Sequence, residues 1–313
     1  MSVSLESRVR GGILGLLIGD ALGVPYEFHN RQSIPPPNEI EFEPPDWFRR
    51  SHAGVLPGTY SDDGAQALVL LHTLLECKRF DPAHFAGGLC AWKSEGFMAV
   101  GRSLFDIGIQ TNDSIGKLEA GVEPLLAGGV DEFSNGNGSL MRVLPLAIWH
   151  KGSDEELVSD AFNQSALTHG HLRSKLCCGL YCLWARRVLQ NRDDAWQDAV
   201  EIIYSLFTSD GPEHCELDSK IEPRDAIYDL TGSGYVVDTL KAAKWACYNA
   251  SFEATVKAAI SLGDDTDTTA CVAGGIAGLN FGVEDIPLRW RNELRGGEIF
   301  MPLIDKLVDH VLN

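Results

Sequence analysis

The sequence predicts an all-α fold, and three observations carry that expectation: apolar residues recur at helical spacing, alternating runs bounded by hairpin turns are nearly absent, and glycine stripes mark two segments as close-packed helices. Val9, Ile13, Leu16 and Leu17 form one apolar stripe, Leu68, Leu71, Leu74 and Leu75 a second, and Val272, Ala273, Ile276 and Leu279 a third. The same spacing predicts helices over residues 82–94, 155–163, 172–190, 195–207, 237–248, 252–262 and 303–312. Gly11, Gly15, Gly19 and Gly23 repeat every fourth residue, as do Gly274, Gly278 and Gly282. Both segments are too interrupted to span a bilayer, so the stripes predict that these two buried helices pack on each other.

Half of the 14 prolines lie between Pro25 and Pro57, so residues 30–58 are expected to form a long irregular loop, a candidate lid that selects the leaving group. Residues 209–224, polar and charged, read as a second surface excursion. Neither divides the 313 residues into two self-sufficient cores. The expected architecture is a compact single-domain orthogonal helix bundle with long active-site loops, residues 1–313 forming one domain.

The eight cysteines include no CxxC pair and mostly sit in apolar runs, as expected of reduced core residues in a cytoplasmic protein. Residues 1–10 carry Glu6, Arg8 and Arg10, and the apolar stretch that follows is broken by glycines and Asp20, which fits neither a signal peptide nor a membrane span. A net charge of −18 disfavours a nucleic-acid backbone, which needs a basic face, and suits divalent cations. A solvated acidic surface accounts for most of the carboxylates.

Two acidic clusters stand out. Gly58-Thr59-Tyr60-Ser61-Asp62-Asp63-Gly64 precedes a strong helical stripe, which places Ser61 or Asp62 at the N-cap. Gly263-Asp264-Asp265-Thr266-Asp267-Thr268 repeats the arrangement before the second glycine-striped helix. Each cluster alone reads equally as cap or as ligand set, but adjacent carboxylates repel unless a cation or solvent compensates. Carboxylates with hydroxyls are the oxygen donors that Mg²⁺ and Mn²⁺ prefer.

The loop Ser134-Asn135-Gly136-Asn137-Gly138-Ser139 exposes backbone N–H groups and precedes Arg142, which suits a phosphate, although glycine with asparagine is also ordinary turn chemistry. No Gly-Lys-Ser/Thr follows, so it is not a P-loop. His169 and His171 could bond an anion or be structural, and Gly232-Ser233-Gly234-Tyr235 could stack a base or simply open a helix.

In combination these motifs are more specific. The order Gly19-Asp20-Ala21-Leu22-Gly23, Ser61-Asp62-Asp63, Asn137-Gly138-Ser139-Leu140-Met141-Arg142, Thr168-His169 and Asp265-Thr266-Asp267-Thr268 resembles the ADP-ribosylglycohydrolase family over nearly the whole chain. The resemblance implies two Mg²⁺ or Mn²⁺ ions held by Ser61, Asp62, Asp63, Asp265, Asp267 and Thr268, with Asp264 outside the ligand set. It implies that Glu27 closes over metals and ribose, that Asn135, Gly136, Asn137, Gly138, Ser139 and His169 meet the pyrophosphate, and that Gly232, Ser233 and Tyr235 lie on the adenosine side. It implies release of ADP-ribose from an ADP-ribosylated protein or small molecule, ADP-ribosyl-arginine above all, with Asp62 or Asp63 orienting water and Glu27 assisting proton transfer. Gly64, where threonine is common, and Asp264, where a small residue is common, depart from the family pattern. A metal-dependent phosphohydrolase and a silent ADP-ribose binder are the alternatives; the missing lysine argues against the first and the full set of oxygen ligands against the second.

Overall fold

The computed structural model describes residues 3–222 and 230–313, and these residues form α-helices, short 3₁₀ turns and loops, with no strand among them. The helices are α1 (Leu5–Gly23), α2 (Asp62–Cys77), α3 (Pro82–Glu95), α4 (Ile109–Glu119), α5 (Leu144–Trp149), α6 (Asp154–Ala166) and α7 (Leu172–Leu189). They continue as α8 (Ala195–Ser205), α9 (Pro212–Glu216), α10 (Val236–Ala246), α11 (Phe252–Ile260), α12 (Thr266–Phe281), α13 (Leu288–Glu293) and α14 (Gly297–Leu312). All-α architecture therefore holds, and the buried apolar side chains of these helices form one contiguous core.

α1 and α12 sit at the centre. Glycine costs about 1 kcal/mol per position in a helix interior, so a helix with four of them on one face needs compensation from packing. The compensation is a backbone-to-backbone contact between the two stripes. A Cβ on Gly11 would meet Gly278 and Gly282, one on Gly15 would meet Gly274, one on Gly19 would meet Ala270, and one on Gly23 would meet Asp267. The pairing is thus antiparallel and in four-residue register, and it sets the C-terminus of α1 beside the N-terminus of α12. α7, α10 and α11 cover α12, while α2, α5 and α14 cover α1.

Three helical stretches depart from the pattern read off the sequence. α4 buries only Thr111, Ser114 and Ile115, too narrow a stripe to register as amphipathic. α5 has six residues, too short to display a period. α14 starts at Gly297 rather than 303: Pro302, which reads as a helix boundary in the sequence, lies inside it at the cost of one backbone bond. In the 209–224 stretch, α9 and a π-helical turn (Leu217–Ile221) occupy the first part, and residues 223 and 224 lie outside the described residues. All eight cysteines are free thiols. No helix among the described residues is long and apolar enough to cross a membrane.

Residues 30–58 form the expected irregular loop, interrupted by a single 3₁₀ turn at Pro37–Glu39. It is strapped to the body: Tyr26 Oη donates to Glu41 O at 2.8 Å and accepts from Glu41 N at 2.9 Å. Its own Ile40, Phe42 and Phe48 are buried in the core.

Candidate active site

The contact between α1 and α12 brings the two acidic clusters together, and Asp20 completes the junction. This fully buried aspartate, one turn before the end of α1, accepts the Ser61 N–H at 2.9 Å and the Gly64 N–H at 2.8 Å. It thereby pins the N-terminus of α2 to the same point. Gly64 has a packing reason: a Cβ there would lie 2.7 Å from Leu17 Cδ2 and 2.9 Å from Tyr60 Cδ2, so a threonine would require both side chains to shift. Across the junction Thr268 Oγ1 donates to Asp63 Oδ2 at 3.4 Å. Carboxylate oxygens of Glu27, Asp265 and Asp267 lie within 4.8 Å of one another.

Capping explains only part of this chemistry. Ser61 is the N-cap of α2, its hydroxyl accepting the Asp63 N–H at 3.3 Å, and Asp265 is the N-cap of α12 without a side-chain capping bond. Asp62 Oδ2 accepts from Gln66 at 3.0 Å, and Asp265 Oδ2 from Asn137 at 2.8 Å. Asp63 Oδ1 and Asp267 Oδ2 are buried with no hydrogen-bond partner. A buried ionised oxygen without a donor is costly, so two of them pointing at one junction of hard oxygen donors fit a divalent cation. Asp264, by contrast, is exposed, and its backbone bonds Phe28 and His29.

The electrostatics agree. Burial raises Asp62, Asp63 and Asp267 well above the usual carboxylate range, and neighbouring acids push in the same direction. Burial pushes Asp20 up to about 7, against its N–H bonds. Burial pushes Glu27 up to about 8, opposed by a bond from His52 and helped by Asp106 and Asp265. The N-terminal ends of α2 and α12, about half a charge each, join His52 beside Glu27 and Arg142 near Asp62 in offsetting part of this crowding.

A cleft of about 320 Å³ opens over the junction. It is lined by the acidic group Glu27, Asp62, Asp63, Asp106 and Asp265 with Thr268, and by Gly136, Asn137, Gly138, His169 and Gly234, the two sets meeting where Asn137 bonds Asp265. His169 is buried; burial, with the charge of Arg142 adding, lowers its pKa to about 3, so the ring is neutral. Thr168 Oγ1 accepts from Arg142 Nη2 at 2.8 Å and lies 2.8 Å from His169 Nδ1. That pattern assigns the hydroxyl proton to Nδ1, leaving Nε2–H as a donor to the cleft. The glycines flanking Asn137 are needed because the imidazole packs on them: a Cβ on Gly138 would lie 2.9 Å from His169 Cε1.

Several predicted positions lie elsewhere. Ser139 is buried against Ser165 and Cys178. Asn135 is spent on Glu132 and Ser174, and Ser233 on Asp238. Gly232 packs against Gly263, and Tyr235 opens α10 under the Arg173 guanidinium, so within that turn Gly234 is the residue at the cleft. Arg142 does not face the cleft. It is fully buried and donates to Gln66, Gln164 and Thr168, joining the carboxylates, through Gln66 and Asp62, to the imidazole. The 30–58 loop supplies no lining residue; the segment from Asp106 to Thr111 does.

The residues missed from sequence are Asp106 and His52. Asp106 stands alone in an unpatterned loop, at a φ of 55°, and burial raises its pKa. His52 Nε2 and Glu27 Oε2 share a hydrogen bond of 2.6 Å. Neither carries a motif, and only the fold reveals them.

Comparison with known proteins agrees with this geometry. A family model described as ADP-ribosylglycohydrolase matches residues 1–312. The chain is similar to an ADP-ribosylarginine hydrolase, Tri1, of Pseudomonas putida (strain GB-1), with 31% identity across 96% of this chain and 78% of that one. It is also similar to the ADP-ribosyl-[dinitrogen reductase] glycohydrolase of Rhodospirillum rubrum, with 27% identity across 93% and 91% of the two chains. A solved structure described as an ADP-ribosylglycohydrolase-related protein complex superposes with a TM-score of 0.79 at 28% identity, covering 98% of this chain and 99% of that one. The chain belongs to the ADP-ribosylglycohydrolase family, hydrolases that act on glycosyl bonds.

Proposed function

We propose that the protein is a Mg²⁺- or Mn²⁺-dependent hydrolase that cleaves the N-glycosidic bond of ADP-ribosyl-arginine on protein and releases ADP-ribose. The observation that carries this reading is the pair of unpartnered buried oxygens, Asp63 Oδ1 and Asp267 Oδ2, at the junction of two acid-bearing helix starts. Ser61, Asp62, Asp63, Asp265, Asp267 and Thr268 would hold two such ions. When bound, divalent cations supply positive charge that polarises ribose oxygens and acidifies water. Arginine as the leaving group is supported by the name of the 31%-identical relative.

The protein's own groups divide the work. His169 Nε2–H, beside the small residues of the 136–138 loop, donates to the pyrophosphate and fixes the ribose over the acids. Asp62 or Asp63 orients the attacking water and takes its proton as the oxygen bonds to the anomeric carbon. The C–N bond breaks with its electron pair leaving on the guanidine nitrogen. Glu27, protonated near neutral pH by burial, delivers a proton to that nitrogen. The anionic surroundings favour the positive charge that builds on the ribose ring.

The test is incubation with Mg²⁺ or Mn²⁺ and a panel of arginine-, serine- and nucleotide-linked ADP-ribosyl substrates, followed by product identification. Free ADP-ribose is expected from the arginine-linked member. Asp62→Ala and Asp265→Ala are expected to abolish release while keeping the helical circular-dichroism spectrum. Full activity in EDTA overturns the reading.

A further inference from the structure

We propose that His52 is the positioning residue of Glu27, so that docking of the 30–58 loop and placement of this carboxylate over the acid clusters are one event. The inference rests on the glycohydrolase reading above. The loop grips Glu27 by backbone and side chain together. Ser51 N donates to Pro25 O at 2.9 Å, Ser51 Oγ donates to Glu27 O at 2.5 Å, and the next residue, His52, bonds the carboxylate. Every other ionisable group grouped with Glu27 is an acid: Asp106, Asp265 and Asp267. Among these groups His52 is the one carried by the docked loop, so its bond is what ties the Glu27 side chain to that loop.

His52 is itself fixed at some expense. Its φ is 48° and that of Phe28 is 62°, left-handed values that residues other than glycine hold only when the surroundings enforce them. The imidazole lies between Phe28 and Phe105, with ring centroids 5.7 and 5.3 Å away. On either side of this contact the loop is bolted down: before it Trp290 Nε1 donates to Glu41 Oε2 at 2.5 Å and Phe48 packs on His29 with centroids 4.6 Å apart, and after it Arg295 N donates to Gly58 O at 2.8 Å. A loop that supplies no lining residue therefore still reaches the reaction through one hydrogen bond.

The experiment is a double-mutant cycle of His52→Ala and Glu27→Ala with Mn²⁺-loaded protein and ADP-ribosyl-arginine. A carboxylate misplaced by about 1 Å loses about 100-fold in rate, so His52→Ala is expected to lower kcat by that order with KM changed by less than about threefold. His52→Gln, which keeps a donor, is expected to recover most of the loss. In the Glu27→Ala background His52→Ala is expected to do nothing further. An unchanged kcat in His52→Ala, no rescue by glutamine, or losses that multiply in the double variant overturns the proposal. If the wild type releases no ADP-ribose from any substrate, the glycohydrolase reading fails on its own. The His52 contact is then decided by the unfolding midpoints of the same four proteins in EDTA: non-additive shifts support it, and additive shifts overturn it.

Discussion

Replacing Gly23 by alanine should damage the acid junction from a position that is itself buried, apolar and without chemistry. The new Cβ would lie 2.5 Å from Thr266 O and closer still to Asp267 N and Cα. Ordinary contact with these atoms needs about 3.4 Å or more, so either the start of α12 or the end of α1 must move by about 1 Å. Both partners are backbone, so no rotamer change relieves the clash. Overpacking of this kind costs roughly 1–3 kcal/mol, offset by somewhat under 1 kcal/mol of helix propensity, which predicts a midpoint lowered by a few degrees. Displacing Asp267 by that distance is expected to weaken Mn²⁺ binding, and misplacement on this scale costs about 100-fold in turnover. Gly11→Ala is the control, because its Cβ would lie 2.8 Å from Gly282 C at the opposite end of the same helix pair. It is expected to destabilise comparably and leave the metal affinity alone. Calorimetric Mn²⁺ titration and thermal unfolding of both variants decide the matter. Wild-type affinity in Gly23→Ala, or equal loss in Gly11→Ala, refutes the idea that the helix contact sets the distance between the clusters.

Two further outcomes follow from the same geometry. The native acids have raised pKa values, Asp20 to about 7 and Glu27 to about 8, against about 4 for an unfolded carboxylate. The folded state therefore holds more protons than the unfolded chain across that interval, and metal-free stability falls as pH rises through it. In EDTA the midpoint should drop from pH 5 to pH 8, the upward shift from Mn²⁺ should grow over the same range, and Asp63→Asn should flatten the slope; an EDTA midpoint that rises in step with pH contradicts this. Arg142→Met leaves acceptors on Gln66, Gln164 and Thr168 without their donor at roughly 1–3 kcal/mol each, so its midpoint should fall by on the order of 10 °C. A normal midpoint with a raised KM would instead restore Arg142 as a phosphate ligand.

The fold was legible where the sequence carries a period. The glycine stripes predicted the central contact because four-residue spacing of small residues has little other use in a buried helix. α4 and α5 were not legible, since a narrow stripe and a six-residue length leave no periodic signal. At the site, the acid clusters could be read as ligands or caps, and only the unpartnered oxygens of Asp63 and Asp267 separate the two. Ser139 and Arg142 sit in the right motif but turn their side chains inward, an orientation that motif order does not encode. His52 and Asp106 were invisible because each is a single polar residue in a loop, brought to Glu27 by tertiary contacts alone.

The buried guanidinium of Arg142 has a consequence for how the cleft is held together. It reaches Asp62 through Gln66 and His169 through Thr168, one intervening side chain on each side. A single buried planar group thus ties the placement of both side chains to one point of the core. A substitution at this one buried position therefore disturbs the acid cluster and the His169 ring together, although the guanidinium touches neither directly.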